Sequence, residues 1–300
     1  MLDLLSESLK GRCLFAIPKK GRLFEKCQQL LAGADIQYTR SNRLDVALVR
    51  NHNLALVFLP AADIPRFVGE GNVHFGITGQ DMVAEADVNG LVTEVLQLEF
   101  GKCKLQVQVP ERSDIKTVED LAGKKVVTSF EVLAGRYFGD LDAKLGKKTK
   151  IEYIGGSVEA ACALGLADGI VDLVESGETM RAAGLHAIET ILSSQAVLIR
   201  SNKPANEHDE LITRFTSRIA GVVAAGKYVL TNYNIPRKNV ASATQITPGR
   251  RAATVSPLDD PEWVAVSSMV LKAEVADVMD KLQLIGATDI LVIGLNNCRV

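Results

Sequence analysis

Apolar residues in the first hundred positions occur in short blocks separated by segments of helical spacing. "RCLFAIP" at 12–18 has the length and composition of a buried strand, and similar blocks follow at 54–59, 73–78 and 92–98. After the first block the apolar side chains recur every three or four residues, at Leu23, Phe24, Cys27, Leu30 and Leu31. Strands that alternate with amphipathic helices predict parallel α/β layers rather than an antiparallel sandwich.

Strict alternation of apolar and polar residues begins at "KLQVQVPE", 104–111. A helix start "TVEDLAG", a strand "KKVVTSF", a long amphipathic helix ending near Leu145 and a strand "KIEYIG" follow, which predicts a second α/β lobe. "AVLIRS" at 196–201 is predicted to return to the first sheet. Two crossings between the lobes would form a hinge, with a ligand cleft outside the carboxyl ends of the strands.

The last third of the chain changes character near residue 207. A helix is predicted over 209–225, followed by segments in the order β-α-β-β-α-β, which is typical of a ferredoxin-like sandwich. The predicted fold class is therefore α/β, with two lobes forming a cleft and a C-terminal ferredoxin-like α+β domain. The predicted domains are lobe I at 1–103 and 196–220, lobe II at 104–195, and the C-terminal domain at 221–300.

Composition and charge narrow the function. With 300 residues, 47% apolar and 23% charged, the chain can bury a sizeable core. A net charge of -2 gives no basic field for a phosphodiester backbone, so we expect no nucleic-acid partner. No apolar run approaches the roughly 20 residues that cross a bilayer, and the start lacks a signal-peptide pattern. Five widely spaced cysteines without a C-x-x-C pair are typical of a reducing compartment, so we expect a cytoplasmic protein.

Two short stretches have the residue types of an anion site. "PKKGRLFE" places Lys19, Lys20, Gly21 and Arg22 between a strand and a helix, where cations meet backbone amides and a helix N-terminus. A solvated basic turn is the alternative. "HFGITGQD" offers glycines for close backbone approach, a hydroxyl and a capping acid, at Gly76, Thr78, Gly79 and Asp81. An ordinary strand-to-helix turn has the same composition.

The stretch "DGIVDLVESGET" at 168–179 combines hydroxyls with acids at one turn. Backbone amides around Gly177, with the hydroxyls of Ser176 and Thr179, can surround a phosphate at a helix start. Asp172 and Glu175 can accept hydrogen bonds from vicinal hydroxyls or help hold Mg²⁺. A ribose 5-phosphate needs both donors for its phosphate and carboxylate acceptors for its hydroxyls. The alternative is a capped helix with surface acids.

These stretches also carry a resemblance to a known family. "GSVEAACALGLADGIVDLVESGETMRAAGL", "PKKGRL", "FGITGQD" and the C-terminal "TPGRRAATVSPLDDPEWVAVSSMV" resemble the long, single-polypeptide form of ATP phosphoribosyltransferase, the first enzyme of histidine biosynthesis. The resemblance covers essentially the whole chain. It implies periplasmic-binding-protein-like lobes, a histidine-binding regulatory domain, dependence on Mg²⁺, inhibition by histidine and AMP, and a homo-oligomer between dimer and hexamer.

The resemblance also implies roles for individual residues. The residues expected to bind phosphoribosyl diphosphate (PRPP) are Glu159, Asp172, Glu175, Ser176, Gly177, Glu178 and Thr179, with Asp172 and Glu175 as Mg²⁺ ligands. The residues expected to bind ATP are Lys19, Lys20, Gly21, Arg22, Thr78, Gly79 and Asp81. Asn234 and Thr254 occupy positions comparable to the histidine contacts of the family. The chain departs from the family at Pro60, where many members have arginine, at His74, where many have an acid, and at Ala183, where asparagine is common.

The chemistry that the resemblance implies requires no general acid or base. N1 of neutral adenine carries a lone pair, so the main barrier is separation of pyrophosphate from C1 of the ribose, which Mg²⁺ and cations would ease. Two alternatives stay open: a non-catalytic cytoplasmic solute-binding or sensor protein, and a PRPP transferase acting on another base. His52, His74, His186 and His208 have no metal-ligand spacing, which predicts packing or surface positions.

Overall fold

A computed structural model describes residues 7–40 and 44–299. From the first strand onward the strands are β1 Cys13–Pro18, β2 Val46–Leu48, β3 Leu54–Leu59, β4 Phe75–Gly79, β5 Val92–Gln97, β6 Cys103–Pro110, β7 Lys125–Thr128, β8 Lys150–Tyr153, β9 Gly169–Val174, β10 Leu185–Ser194, β11 Ala196–Ser201, β12 Tyr228–Pro236, β13 Thr254–Pro257, β14 Trp263–Leu271 and β15 Thr288–Gly294. The α-helices after β1 are α1 Arg22–Gly33, α2 Ile64–Gly69, α3 Gln80–Glu85, α4 Val118–Leu121, α5 Glu131–Leu145, α6 Ala160–Ala163, α7 Glu178–Ala182, α8 Asp209–Lys227, α9 Val240–Ile246 and α10 Val275–Leu284.

The first lobe is built on a sheet of order β2-β3-β1-β4-β11-β5. β1 pairs in parallel with β3 and β4, and its side chains are almost all buried, which explains the nearly continuous apolar run at this point of the sequence. Phe15 and Phe75 stack across the β1–β4 pair with ring centroids 4.0 Å apart. The return of β11 to this sheet, between β4 and β5, was predicted from the sequence and is confirmed.

The second lobe is built on a sheet of order β10-β6-β9-β7-β8. Alternate side chains of β6, Leu105, Val107 and Val109, are fully buried, in agreement with the alternation seen in the sequence. They join a core that includes Phe130 and Phe138 of the α5 region. α4 is a single turn, and Thr117 and Asp120 form its capping box.

The two α/β sheets are mixed rather than wholly parallel. β11 runs antiparallel to β4 and β5, and β6 runs antiparallel to β9 and β10. These antiparallel strands flank the two crossings, where the chain leaves one sheet and enters the other without an intervening helix. The direction of these strands follows from the crossings. The pattern of apolar residues does not predict strand direction.

The C-terminal segment has the predicted ferredoxin-like fold. Its antiparallel sheet has the order β13-β14-β12-β15, and α9 and α10 pack on one face. The side chains of β12 alternate between buried and half-buried positions, and Tyr233 is fully buried at the centre. The two α/β lobes and the C-terminal ferredoxin-like fold together confirm the predicted fold class.

The chain folds into two compact units, whereas the sequence predicted three domains. One unit contains the described residues up to Gln28 and those of Gln37–Ile212, which includes both lobes, and the other contains Gln29–Ile36 and the described residues from Thr213. The three domain boundaries proposed from the sequence therefore stay a prediction. In the part of the chain that the structure describes, no helix is long and apolar enough to cross a membrane.

Candidate functional site

The segment 172–179 forms a loop between β9 and α7. Gly177 is the N-cap residue of α7 and has φ +75°, in the left-handed region that favours glycine. A Cβ at this position would lie 2.7 Å from a guanidinium nitrogen of Arg181, so glycine also provides space. Gly177 has no side chain to cap α7, and the Glu178 amide at the start of this helix donates to Ser176 Oγ at 3.4 Å.

This loop lines a cavity of about 240 Å³. All of the residues predicted to bind PRPP contribute to its lining, namely Glu159, Asp172, Glu175, Ser176, Gly177, Glu178 and Thr179. Gln108 lines the cavity from β6, and Arg22 lines it from the first lobe. The structure thus brings together hydroxyls, a helix start and several carboxylates, in the same unit of the chain.

Two carboxylates in this cavity affect each other. Burial raises the pKa of Asp172, and the negative charge of Glu159 raises it further. The backbone amide of Leu173 donates to Asp172 Oδ1 at 2.8 Å, which opposes the increase. A cation between Asp172 and Glu159 would relieve their repulsion, so the site favours a positive charge next to the hydroxyls of the loop.

This pair of carboxylates fits Mg²⁺ carried by a phosphate ligand, because Mg²⁺ is usually held by one or two carboxylates plus substrate phosphates. No group of three or more His, Cys, Asp and Glu side chains arranged for a metal ion occurs among residues 7–40 and 44–299. The protein side of the site therefore suits a shared metal rather than a complete protein cage. The prediction of Asp172 and Glu175 as ligands stays a proposal.

The basic turn predicted as an anion site lies across the cleft from the 172–179 loop. Arg22 forms an ion pair with Glu175 that joins the two lobes. Lys20 is exposed, and Lys19 lies 4.0 Å from Asp45. The structure thus places Arg22 beside the predicted PRPP residues, although the sequence assigned this turn to ATP.

The turn at 78–81 uses its polar groups within the protein. The Thr78 hydroxyl donates to the carbonyl of Ala61 at 2.7 Å. Gly79 is the last residue of β4, and Asp81 is buried in the first turn of α3. The Ser194 hydroxyl donates to Asp81 Oδ1 at 2.5 Å and accepts from the Asp81 amide at 3.0 Å. Burial raises the pKa of Asp81. The two hydrogen bonds with Ser194 join the start of α3 to the end of β10.

A second, larger cavity of about 570 Å³ adjoins the same loop. Both cavities are lined by residues of 174–177, and Glu175 contributes to both. The larger cavity is also lined by residues that the sequence did not single out, namely Gln80, Lys102, Cys103, Lys104, Gln106, Ser193, Ser194 and Gln195. Most of them lie at the two crossings between lobes. The predicted positions of these crossings were the feature of the sequence from which these residues could have been found.

Cys103, at a crossing, and His74, at the opposite end of β4, are not suited to reaction as ionised groups. Burial raises the pKa of Cys103 to about 11, so the thiol stays protonated at neutral pH. His74, which stands where family members have an acid, accepts a hydrogen bond from the Leu14 amide at its Nδ1, 2.9 Å away. Its ring contacts His208 edge to face, with centroids 4.6 Å apart, so these histidines are packing residues as predicted.

The residues predicted to bind histidine lie on one face of the C-terminal sheet. Asn234 pairs with Ala265 and Thr254 pairs with Ser267, and these partners are two residues apart on β14. Both side chains therefore project from the face opposite α9 and α10. Asn234 Nδ2 donates to Asp289 Oδ2 at 3.0 Å, and Thr254 is exposed.

Comparison with known proteins gives matches along the whole chain. The family model for ATP phosphoribosyltransferase matches residues 60–221, and the model "HisG, C-terminal domain" matches residues 225–297. The ATP phosphoribosyltransferase of Yarrowia lipolytica is 59% identical, with 100% of both chains covered. The one from Schizosaccharomyces pombe is 54% identical, covering 99% of this chain and 100% of the relative. The one from Saccharomyces cerevisiae is 52% identical, with 100% of both chains covered.

A solved structure, an ATP phosphoribosyl transferase (HisG:HisZ) complex from Thermotoga maritima, matches with a TM-score of 0.59 and 22% identity, covering 69% of this chain and 96% of that one. At this identity the match supports the fold alone. The family models and the full-length relatives carry the assignment, and the geometry of the 172–179 loop agrees with it. The chain belongs to the ATP phosphoribosyltransferase family.

Proposed function

We propose that this protein transfers the 5-phosphoribosyl group of PRPP to N1 of ATP and releases pyrophosphate, which is the first step of histidine biosynthesis. The observation that carries the proposal is the cavity at 172–179, where hydroxyls and helix amides stand beside paired carboxylates. A ribose 5-phosphate presents these two groups with its phosphate and its diol. The family match and the full-length relatives agree with this reaction.

In this proposal the loop binds both the 5-phosphate and the ribose hydroxyls of PRPP. The 5-phosphate accepts hydrogen bonds from the amides after Gly177 and from the hydroxyls of Ser176 and Thr179. Asp172 and Glu175 accept hydrogen bonds from the ribose hydroxyls. Glu175 exchanges its contact with Arg22 for one with the sugar, which frees the guanidinium to approach a phosphate of the substrate.

Asp172, Glu159 and Glu175 are the residues that would hold Mg²⁺ together with the substrate phosphates, and the ion supplies charge neutralisation on the leaving pyrophosphate. The side chains of this site orient the sugar and exclude water. No side chain has to remove a proton from adenine before attack, because N1 already carries a lone pair. Correct orientation of the two substrates accounts for roughly 7–11 kcal/mol in well-aligned reactions, so positioning residues dominate.

The direct test mixes the protein with Mg²⁺, ATP and PRPP and follows pyrophosphate release together with the adenine ultraviolet spectrum. Thr179→Ala and Glu175→Gln should each weaken PRPP binding and slow turnover by about tenfold or more, because each removes a contact to the substrate. Glu119→Gln, which changes an exposed acid in the same lobe, is the control and should keep wild-type kinetics. Unchanged PRPP kinetics in both site variants would refute the site. Binding of PRPP without turnover by the wild-type chain would favour a sensor protein.

Regulation, assembly and location are further parts of the proposal. Histidine would bind at Asn234 and Thr254 and lower the rate, and AMP would inhibit by competing with the substrates. Apolar side chains exposed on the edge strand β15, at Leu291, Val292 and Ile293, support a homo-oligomer between dimer and hexamer. The free cysteines support the reducing environment of the cytoplasm.

A further inference from the structure

The segment 296–299, which follows β15, joins two helices that are far apart in the sequence. The side-chain amide of Asn297 donates from Nδ2 to the carbonyl of Gly33, the last residue of α1, at 2.9 Å. The same nitrogen donates to the carbonyl of Arg218 in α8 at 3.3 Å. One asparagine side chain thus fastens the end of α1 to the middle of α8.

The backbones approach closely at this junction, and two glycines make the approach possible. A Cβ at Gly33 would lie 2.8 Å from Val222 Cγ2, and a Cβ at Gly221 would lie 2.3 Å from the carbonyl oxygen of Cys298. The Cys298 amide also donates to the carbonyl of Gly221 at 3.2 Å. Closely packed elements shift as bodies rather than deform continuously. A displacement of the 296–299 segment is therefore passed on to the helices that it contacts.

Arg218 adds a second attachment between the same helices. Its Nη1 donates to the carbonyl of Ala34 at 3.1 Å and lies 3.9 Å from a carboxylate oxygen of Asp35. The last carbonyls of a helix have no partner within the helix, so amide and cationic donors are suited to this position. The end of α1 therefore receives donors from both Asn297 and Arg218.

The other end of α1 carries a residue of the predicted PRPP site. α1 is one helix of 12 residues that begins at Arg22 and ends at Gly33. Arg22 forms the ion pair with Glu175 of the 172–179 loop. Because every turn of a helix is hydrogen-bonded to the next, a shift at Gly33 is carried over the roughly 16 Å of helix to Arg22.

The 296–299 segment also follows the strand that contacts the predicted histidine site. Near the start of β15, Asp289 accepts a hydrogen bond from Asn234 Nδ2 at 3.0 Å. β15 ends at Gly294, two residues before the segment begins. A ligand bound at Asn234 competes for the contact with Asp289, so it acts on the strand that leads directly into Asn297.

We propose that the 296–299 segment couples the two sites: histidine bound at Asn234 shifts β15, and Asn297 passes the shift to α1, which withdraws Arg22 from PRPP. The inference rests on the proposed function and adds a route for the inhibition. Asn297 is a positioning residue in this route, because it acts through Arg22 and contacts neither ligand. By reciprocity, PRPP weakens histidine binding by the same factor.

The first test measures the dissociation constant of PRPP with Mg²⁺ by calorimetry on the full chain, with and without saturating histidine. In the wild type, histidine should raise this constant about tenfold, a usual size for allosteric coupling. Asn297→Ala should reduce the factor to about twofold or less, while each ligand alone binds within about threefold of its wild-type affinity. Asn296→Ala changes the exposed neighbouring asparagine and is the control, which should keep the tenfold factor.

A folded Asn297→Ala variant with the wild-type factor overturns the proposal, because a merely structural role would leave the factor unchanged. A wild type in which histidine does not alter PRPP affinity overturns it as well. If Asn297→Ala alone binds histidine more than about tenfold more weakly, Asn297 belongs to the histidine site and the proposal is wrong. If Asn297→Ala does not fold, Asn297→Ser, whose hydroxyl ends one bond short of the Nδ2 position, should lose the factor in the same way.

The second test asks whether the route passes through Arg22. Arg22→Ala should bind PRPP more weakly, and its PRPP affinity should no longer respond to histidine, because the side chain that moves is absent. Lys26→Ala removes an exposed cation from the same helix and should keep the tenfold factor. A tenfold factor in Arg22→Ala would mean that histidine acts by another route, and this result overturns the proposal.

The pyrophosphate-release assay separates this inference from the proposed function. Turnover of ATP and PRPP with an unchanged factor in Asn297→Ala refutes only the route through the 296–299 segment. A wild type that shows the predicted coupling but releases no pyrophosphate refutes the proposed function and leaves the route intact. A wild type that does not bind PRPP refutes both.

Discussion

Asp172 illustrates how a single residue links stability to binding. Burial and the charge of Glu159 raise its pKa, so the folded state disfavours the ionised carboxylate. A group of this kind contributes fully to stability below its unfolded pKa, and that contribution is lost as the pH rises through the folded pKa. Above the unfolded pKa of aspartate, the raised pKa of Asp172 therefore destabilises the chain when no ligand is bound.

The substitution Asp172→Asn should thus stabilise the unliganded protein at neutral pH, and the gain should disappear in acid below the unfolded pKa of aspartate. Its amide oxygen still accepts the hydrogen bond from Leu173. The same variant should lose PRPP and Mg²⁺ binding, because the charge is the functional element. Thermal melts at several pH values measure the first effect, at roughly 2–4 °C per kcal/mol. A variant that melts lower than the wild type at neutral pH would contradict this account.

Gly177 has a matched partner elsewhere in the same unit. Gly177 and Gly90 both have φ +75°, and a Cβ at Gly90 would meet nothing within 4 Å. Gly177→Ala and Gly90→Ala should each cost about 1 kcal/mol in the free energy of unfolding, from backbone strain. Only Gly177→Ala should weaken PRPP binding, because the phosphate is proposed to bind at that loop and not near Gly90. Equal PRPP affinities in the two variants would remove the phosphate role from the loop.

The residues of the site differ in how far the sequence reveals them. Those at 172–179 are contiguous, so their hydroxyls, glycine and acids form a recognisable motif that could be predicted. Gln195 and Lys104 line one cavity but are far apart in the sequence, and each looks like an ordinary polar residue next to a strand. Their proximity comes from the meeting of two crossings, which is a property of tertiary structure. Thr78, in contrast, was predicted from the sequence to bind a ligand, but its hydroxyl donates to the carbonyl of Ala61.

At the scale of the elements, helix α5 depends on a residue of the other lobe. Phe130 is its N-cap residue and makes no side-chain cap, and the carboxylate of Glu85 accepts from the amides of Val132 and Leu133 at 2.9 and 3.0 Å. Arg136 of the same helix pairs with Asp87 at 2.7 Å. A carboxylate at a helix N-terminus satisfies free amides and interacts favourably with the helix dipole.

Glu85→Ala should therefore lower the free energy of unfolding by about 1 kcal/mol and loosen the contact between the lobes. Chemical denaturation measures the first effect, and hydrogen exchange at the amides of Val132 and Leu133 measures the second. Glu131→Ala, which changes an exposed acid in the first turn of α5, tests whether charge near the helix start is enough. If the two variants lost stability equally and exchange at Val132 stayed unchanged, the contact between lobes would have no special role.

The sequence identifies most elements but not the way they pair. β1, β4, β6 and the long α5 were predictable because each has a clear apolar period within a single window. The short edge strand β2 and the single turn α6 are too brief to show a period. The antiparallel partners of β6 and β11 depend on the crossings, so pairing required the structure.

At the scale of the whole molecule, the separate C-terminal fold would allow one chain to combine the proposed transfer with the proposed inhibition by histidine. Asn234 and Thr254 project from one sheet face, while the buried hydroxyls of Tyr233 and Thr247, 2.6 Å apart, lie on the helix-covered side. Asn234→Ala and Thr254→Ala should each raise the histidine concentration needed for half-inhibition by about tenfold and leave the uninhibited rate unchanged. Ser242→Ala on α9, exposed on the other side of this domain, is the control. Wild-type inhibition in both sheet variants would place histidine elsewhere.

The overall architecture was predictable because each fold has its own order of elements, but the compact units of the chain were not. Residues 29–36 belong with the C-terminal unit although they follow the first strand closely in the sequence. A local pattern assigns each segment to its nearest neighbours, and this association depends on packing between segments distant in the chain.

The central claim is that the 172–179 loop receives the sugar phosphate, and the most direct measurement is a crystal structure of the chain with PRPP and Mg²⁺. The account predicts the 5-phosphate at the amides and hydroxyls of Ser176, Gly177 and Thr179, with the ribose hydroxyls at Asp172 and Glu175. PRPP bound anywhere else, with this loop free of ligand, would contradict it.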